Sequence, residues 1–249
     1  MSEFPTPDAN DTTQASALPH LQCAAAVSHL QRAALPAVQC RAAAPMRSWY
    51  RFCRFLCQLS FLALFRGRTF GVRYVPRTGG VLLVCNHQSF LDPVLATLAL
   101  PRECHYMARD TLFANPRFRK LIESLNAFPV KRGTADVGAI KETLKRLKSG
   151  GLVTVFPEAT RTPDGSVQPM QPGVVLLARK ARVPIVPTMI LGAFEAWPRQ
   201  AKLPHPARVI VAYDEPIPVE RLEQMDEMAC IELVRARIVE MMRRRRDRE

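Results

Sequence analysis

In Val81-Leu82-Leu83-Val84-Cys85-Asn86-His87-Gln88-Ser89-Phe90-Leu91-Asp92-Pro93, an apolar run stops at Asn-His and an aspartate follows the histidine after four intervening residues. The run from Val81 to Cys85, bounded by Gly79-Gly80 and Asn86, reads as a buried strand. His87 then stands just past that strand's carboxyl end, where open α/β sheets place their ligands. Pro93 suits the first turn of a helix opening near Asp92. An imidazole in this place can take a proton near neutral pH. A carboxylate on its other ring nitrogen can fix the tautomer and stabilise the imidazolium. On a regular helix, positions i and i+5 point about 140° apart, so the pair meets only if the residues between form a turn. The spacing alone also fits a plain helix N-cap at Asp92 and a hydrogen-bonded loop histidine at His87.

Outward from this stretch, strands and helices alternate. Residues 70–75 read as a strand before it, and a helix is expected through residue 99 after it. Further strands are expected over 104–108, 128–130, 152–156, 185–190 and 208–212. A helix is expected within 110–126 with Pro116 near its start, and others over 135–148, 174–180 and 225–242, the last ending in Arg243-Arg244-Arg245-Arg246. Over 135–148 the period places Val137, Ile140, Leu144 and Leu147 toward the core and Lys141, Lys145 and Lys148 toward solvent. The alternation means an α/β fold around a mostly parallel sheet with flanking helices.

The 249 residues carry a formal net charge of +13, which favours nucleic acid, an anionic membrane surface or anionic substrates. Nucleic acid is the weakest of these. The basic residues do not interleave with aromatics, and no helix-turn-helix, RNA-recognition or zinc-finger pattern occurs. The seven cysteines are scattered, with no CxxC metal pair and no disulfide framework, and no histidine has ligand partners at usable spacing.

Three parts are expected along the chain. Residues 1–45, rich in Ala, Gln, Ser, Thr and Pro, read as a disordered leader, without the basic start and apolar run of a secretory signal. Residues 46–68 read as an amphipathic helix and its basic flank. Trp49, Tyr50, Phe52, Phe55, Leu56, Leu59, Phe61, Leu62, Leu64 and Phe65 crowd it, and Arg47, Arg51, Arg54 and Gln58 line one face. Its uncharged part is shorter than the roughly 20 residues of a spanning helix. It fits a helix lying in the membrane interface with its arginines at the head groups, or one packed on the protein's own core. Residues 69–249 form the main domain.

Four stretches occur in an order that resembles the glycerolipid acyltransferases, the 1-acyl-glycerol-3-phosphate acyltransferase family. They are Asn86-His87-Gln88-Ser89-Phe90-Leu91-Asp92, Ala127-Phe128-Pro129-Val130-Lys131-Arg132, Phe156-Pro157-Glu158-Ala159-Thr160-Arg161 and Val183-Pro184-Ile185-Val186-Pro187. The third departs from the family's Glu-Gly-Thr-Arg by carrying Ala159, which would be strained if the backbone there takes a positive φ. The resemblance implies transfer of a fatty acyl group from acyl-CoA or acyl-carrier protein to a lysophosphatidic-acid-like acceptor, giving phosphatidic acid. Glycerol 3-phosphate or another lyso-lipid is the alternative acceptor, and a silent lipid-binding module the alternative class. No cofactor is implied beyond the donor. The implied setting is the cytoplasmic face of an anionic membrane.

Such chemistry needs a base for the acceptor's proton and a grip on its phosphate. His87 is the candidate base and Asp92 its orienter. Arg132 and Arg161 stand at the motif positions for phosphate, with Lys131, Thr160 and Glu158 assisting. Ser89 is the rival nucleophile, but no G-x-S-x-G elbow surrounds it.

Overall fold

The structure is a computed structural model that describes residues 45–131 and 136–247. Apart from Pro45, the expected leader lies outside the described residues. The strands are β1 (Arg68–Phe70), β2 (Val81–Cys85), β3 (Cys104–Arg109), β4 (Ala127–Val130), β5 (Leu152–Val155), β6 (Ile185–Leu191) and β7 (Ile210–Tyr213). The helices are α1 (Ser48–Phe65), α2 (Asp92–Leu95), α3 (Pro116–Ser124), α4 (Val137–Lys148), α5 (Gly173–Ala181), α6 (Ala193–Ala196), α7 (Val219–Glu223) and α8 (Glu227–Arg246).

The described strands form one seven-stranded sheet in the order β1-β7-β6-β2-β5-β3-β4. All neighbours run parallel except β6 and β7. An unbroken apolar strand can only sit where both faces are covered. β2 does so, between β5 and β6, with every residue fully buried. Its alternate side chains serve two cores. Leu82 and Val84 join Ala178 of α5 and Val234 and Ile238 of α8 on one face. Leu83 and Cys85 join Phe61 and Phe65 of α1 on the other. The carboxyl ends of β2, β5, β3 and β4 therefore share one edge of the sheet.

Three elements differ from the sequence reading, each for a local reason. The strand expected over 70–75 stops at Phe70 and gives way to a 3-10 turn, Val72–Tyr74. Gly71 turns the chain at φ +73, where a Cβ would meet the Tyr213 carbonyl oxygen at 2.1 Å. The helix expected through residue 99 is the single turn of α2, followed by hydrogen-bonded turns. In α4 the buried positions are Ala139, Thr143 and Leu147, while Val137 and Ile140 are exposed. Small side chains at Ala139 and Thr143 let this helix lie close to the sheet, and the Thr143 hydroxyl is satisfied by the Ala139 carbonyl at 2.7 Å.

The apolar face of α1 points outward, as expected of an interfacial helix, while part of the polar stripe expected at the head groups turns onto the domain. Arg54 donates to the Leu100 carbonyl and Gln58 to the Leu98 carbonyl at 2.9 Å. Arg47 holds Glu103 at 3.0 Å and Asn126 Oδ1 at 2.7 Å. The short α2 and the turns after it leave carbonyls that need donors, and this polar stripe supplies them. Phe52, Phe55, Leu56, Leu59 and Leu62 are left on the outside, Phe55 60% and Leu62 64% exposed. Tyr50, Phe61 and Phe65 are buried and fasten the helix to the domain.

Candidate active site

The chain leaves β2 through Asn86, whose side chain completes the ladder. Its Nδ2 donates to the Ile190 carbonyl and its Oδ1 accepts from the Ile190 N–H, both at 2.8 Å. This anchors the turn that follows. Asp92 folds back over it, and its Oδ2 accepts from His87 Nδ1 at 2.7 Å, Ser89 N at 2.7 Å and Gln88 N at 2.5 Å. The intervening residues thus form the turn that the five-residue spacing required, and Asp92 opens α2 as it does so. Full burial pushes the Asp92 carboxyl up, against the downward pull of the imidazole and the two amides.

His87 is only 7% exposed, and its ring lies 4.5 Å from that of Phe156. With Nδ1 facing a carboxylate, the proton resides on Nδ1 and the Nε2 lone pair faces away from Asp92. Ser89, fully buried, donates its hydroxyl to the Trp197 carbonyl at 3.0 Å and accepts from Leu91 N at 3.3 Å. Its oxygen is a turn-former here and is not directed at a base.

The loop after β5 closes over the histidine. Thr162 N donates to the His87 carbonyl at 2.8 Å, and Glu158 Oε1 accepts from His87 N at 3.2 Å. Glu158 Oε2 is buried and has no partner among the described residues. Burial, reinforced by the Asp92 charge, pushes the Glu158 carboxyl up to about 8, against the bond from His87 N. Ala159 sits at φ +61, so the strain anticipated for an alanine at this position is present. Thr160 is exposed, its N–H donating to the Glu158 carbonyl at 2.7 Å. Arg161 lies over the ring of Phe90, its guanidinium carbon 3.5 Å from the centroid.

The structure brings His87, Asp92, Glu158 and Arg161 to one end of the sheet around a single turn. Lys131 is at the same end but follows β4, three strands from β2, on the order of 14 Å by strand spacing. It is exposed, and its N–H donates to Asp136 Oδ2 at 2.8 Å. Arg132 lies outside the described residues.

Beside the turn opens a cavity of about 240 Å³, lined mainly by apolar groups of α1, α2 and α3. Phe90, Val94, Tyr106, Leu112, Phe118 and Ile122 form much of its wall. The sequence reading passed over Asn86, Gln88, Phe90 and Trp197 as individual residues. Gln88 bridges to the Gly165 carbonyl at 2.8 Å, and the Trp197 ring meets that of Phe90 at a tilt with centroids 5.5 Å apart. Only Trp197 lay outside the quoted motifs, and nothing in its local sequence marks it.

The acyltransferase family model matches residues 68–191. A 1-acyl-sn-glycerol-3-phosphate acyltransferase of Bacillus subtilis is 32% identical over 146 residues, 57% of this chain and 71% of that relative. The chain belongs to the acyltransferase family. Another relative, a 1-acyl-sn-glycerol-3-phosphate acyltransferase of Cocos nucifera, is 28% identical over 64% of this chain, which spans 53% of that relative's length. Among solved structures, the 1-acyl-sn-glycerophosphate acyltransferase PlsC of Thermotoga maritima superposes with a TM-score of 0.67 at 26% identity, covering 77% of this chain and 79% of that one. This acyltransferase shares that fold, and the span matched by the family model takes in the His87 turn, the cavity's inner wall and the Glu158–Arg161 loop.

Proposed function

We propose that this acyltransferase moves a fatty acyl group from an acyl thioester to the free hydroxyl of a lysophosphatidic-acid-like acceptor, giving phosphatidic acid. The observation that carries the reading is the 2.7 Å bond between His87 Nδ1 and Asp92 Oδ2 just beyond the end of β2. Asp92 keeps the proton on Nδ1, so Nε2 takes the acceptor's hydroxyl proton as the oxygen attacks the thioester carbonyl. The new C–O bond forms, the C–S bond breaks, and the departing thiolate takes the proton from the imidazolium. No acyl-enzyme is needed, in keeping with the engagement of Ser89 by Trp197.

Arg161 would grip the acceptor's phosphate in a bidentate fork, with Lys131 and Arg132 as further basic groups and Glu158 and Thr160 assisting. A largely neutral Glu158 would not repel that phosphate. The donor's acyl chain would lie in the apolar cavity, its thioester near His87. The names of the relatives support the acceptor class, and acyl-CoA or acyl-carrier protein fits the same chemistry.

Membrane association is part of the proposal. Among the described residues no helix is long and apolar enough to cross a membrane. The exposed face of α1 instead suits the boundary of head groups and acyl chains, with residues 46–68 as the interfacial part, 69–249 as the catalytic part and the cytoplasmic leaflet as the surface.

The test is thiol release from a long-chain acyl-CoA, followed with a thiol-reactive dye, against lysophosphatidic acid, glycerol 3-phosphate and lysophosphatidylcholine. Fastest release with lysophosphatidic acid is expected. Equal release with lysophosphatidylcholine, which lacks a terminal phosphate, would refute the acceptor assignment.

A further inference from the structure

We infer that Phe90 is a positioning residue that couples the cavity to Arg161, so that a long acyl chain in the cavity tightens binding of the phosphate-bearing acceptor. The inference rests on the reading of the cavity and of Arg161 given above. One ring makes three contacts. It forms part of the cavity wall, it carries the Arg161 guanidinium at 3.5 Å, and it meets Trp197 at 5.5 Å.

The backbone beneath that ring is fixed. Ser89 and Asp92 on either side are fully buried, and Asp92 Oδ2 and Ser89 Oγ hold the amides of Ser89 and Leu91. The Phe90 side chain is nonetheless 52% exposed, so its torsions are the movable part of an otherwise rigid turn. Arg161 hangs from a loop tied to the His87 carbonyl through Thr162 N. A long guanidinium side chain has much rotamer freedom to lose on binding phosphate. A ring that holds it in place beforehand removes part of that cost, and the attraction between cation and ring supplies the hold.

An acyl chain packed against the cavity wall restricts the same ring. Whatever narrows the positions of Phe90 narrows those of Arg161. Donor and acceptor then bind with positive coupling, which must be reciprocal. Short acyl chains, which do not reach along the wall, should not evoke it.

The experiment measures lysophosphatidic acid binding by calorimetry to the full chain loaded with a non-transferable alkyl-CoA thioether of long or short chain. Wild type should bind the acceptor more tightly with the long chain. In Phe90→Ala, acceptor affinity should fall by roughly 3- to 30-fold and lose its dependence on chain length. Phe90→Trp should restore both. A purely structural role for Phe90 would lower the melting temperature and leave chain-length dependence in place. Wild type binding equally well with both chains, or Phe90→Ala matching wild type, would overturn the coupling while leaving the acyl-transfer reading intact. No acceptor binding by wild type with either chain would overturn both.

Discussion

Two regions of this protein break the rule of apolar inside and polar outside, in opposite directions. At the carboxyl end of β2, His87, Gln88, Ser89, Asp92 and Glu158 are buried. Along α1, Phe52, Phe55, Leu56, Leu59 and Leu62 are exposed while Arg54 and Gln58 turn inward. Burying polar groups costs free energy unless each is bonded, and exposing a contiguous apolar face invites association. A fold selected for stability alone would do neither. On the proposed function, the first departure would arrange a proton-accepting group out of water, and the second would offer a surface to a lipid phase. The proton-taking turn and the lipid-facing side of α1 then lie on different elements, although the inner side of α1 also lines the cavity, so substitutions should separate them.

The largest effect is expected at the sheet end. His87→Ala should lower kcat by about 10²- to 10⁴-fold, with vesicle binding and the melting temperature close to wild type. Steady-state rates at saturating donor and acceptor, with melts and sedimentation on vesicles, check this. Loss of vesicle binding together with activity would merge the two regions and break the comparison.

The reverse pattern is expected on α1. Replacing Phe55, Leu59 and Leu62 with serine should reduce partition onto anionic vesicles at least tens-fold, since a fully buried side chain of this size is worth about 1.5–3 kcal/mol. Turnover of a detergent-dispersed acceptor should be kept. The inward turn of Arg54 and Gln58 also shapes the salt response. With an apolar face leading, binding should largely persist at 1 M salt, where the screening length is about 3 Å. Release of the protein at that salt would restore an arginine-led contact.

These predictions show where the sequence was informative. The β2 strand, the turn after it and the alternation that makes the sheet were legible because each is a local pattern. An apolar run, an Asn-His stop, a proline at a helix start and a glycine at a break act over a few residues. The pairing of His87 with Asp92 was readable as a condition, and the turn meets it. The outward apolar face of α1 was expected, but the inward turn of Arg54 and Gln58 was not legible. Periodicity separates a helix's faces but does not say which faces the protein, and the decision fell to the carbonyls of Leu98 and Leu100 about 40 residues away. Val137 and Ile140 were misplaced for a related reason, since close packing favoured the small Ala139 and Thr143 over the larger apolar side chains. The contacts of Phe90 with Arg161 and Trp197 join residues far apart in sequence.

Two smaller effects sharpen the sheet-end side. Glu158 is held up to about 8 in the fold, above the 4.5 of an ordinary glutamate. The native state therefore keeps a proton that the unfolded chain gives up. Its contribution to stability is full below about 4.5 and is lost as pH rises through about 8. Melting temperatures from pH 5 to 9, a range of about four units around these values, should decline with pH in wild type and flatten in Glu158→Gln. An unchanged slope would remove the burial argument. Smallest is Ala159→Gly, expected to stabilise by about 1 kcal/mol by relieving the backbone at φ +61. Denaturant unfolding would measure it, and a destabilised glycine variant would mean that the alanine methyl contributes packing that outweighs the strain.

The central claim is that His87 and Asp92 act as one proton-taking unit, and a double-mutant cycle on kcat tests it most directly. Asp92→Asn should by itself lose much activity, because an amide can favour the wrong tautomer of the imidazole. Combined with His87→Ala, it should add almost nothing, since the residue it orients is already gone. Losses that multiply in the double variant, with all three variants folded, would mean that the two side chains act independently and would contradict the mechanism.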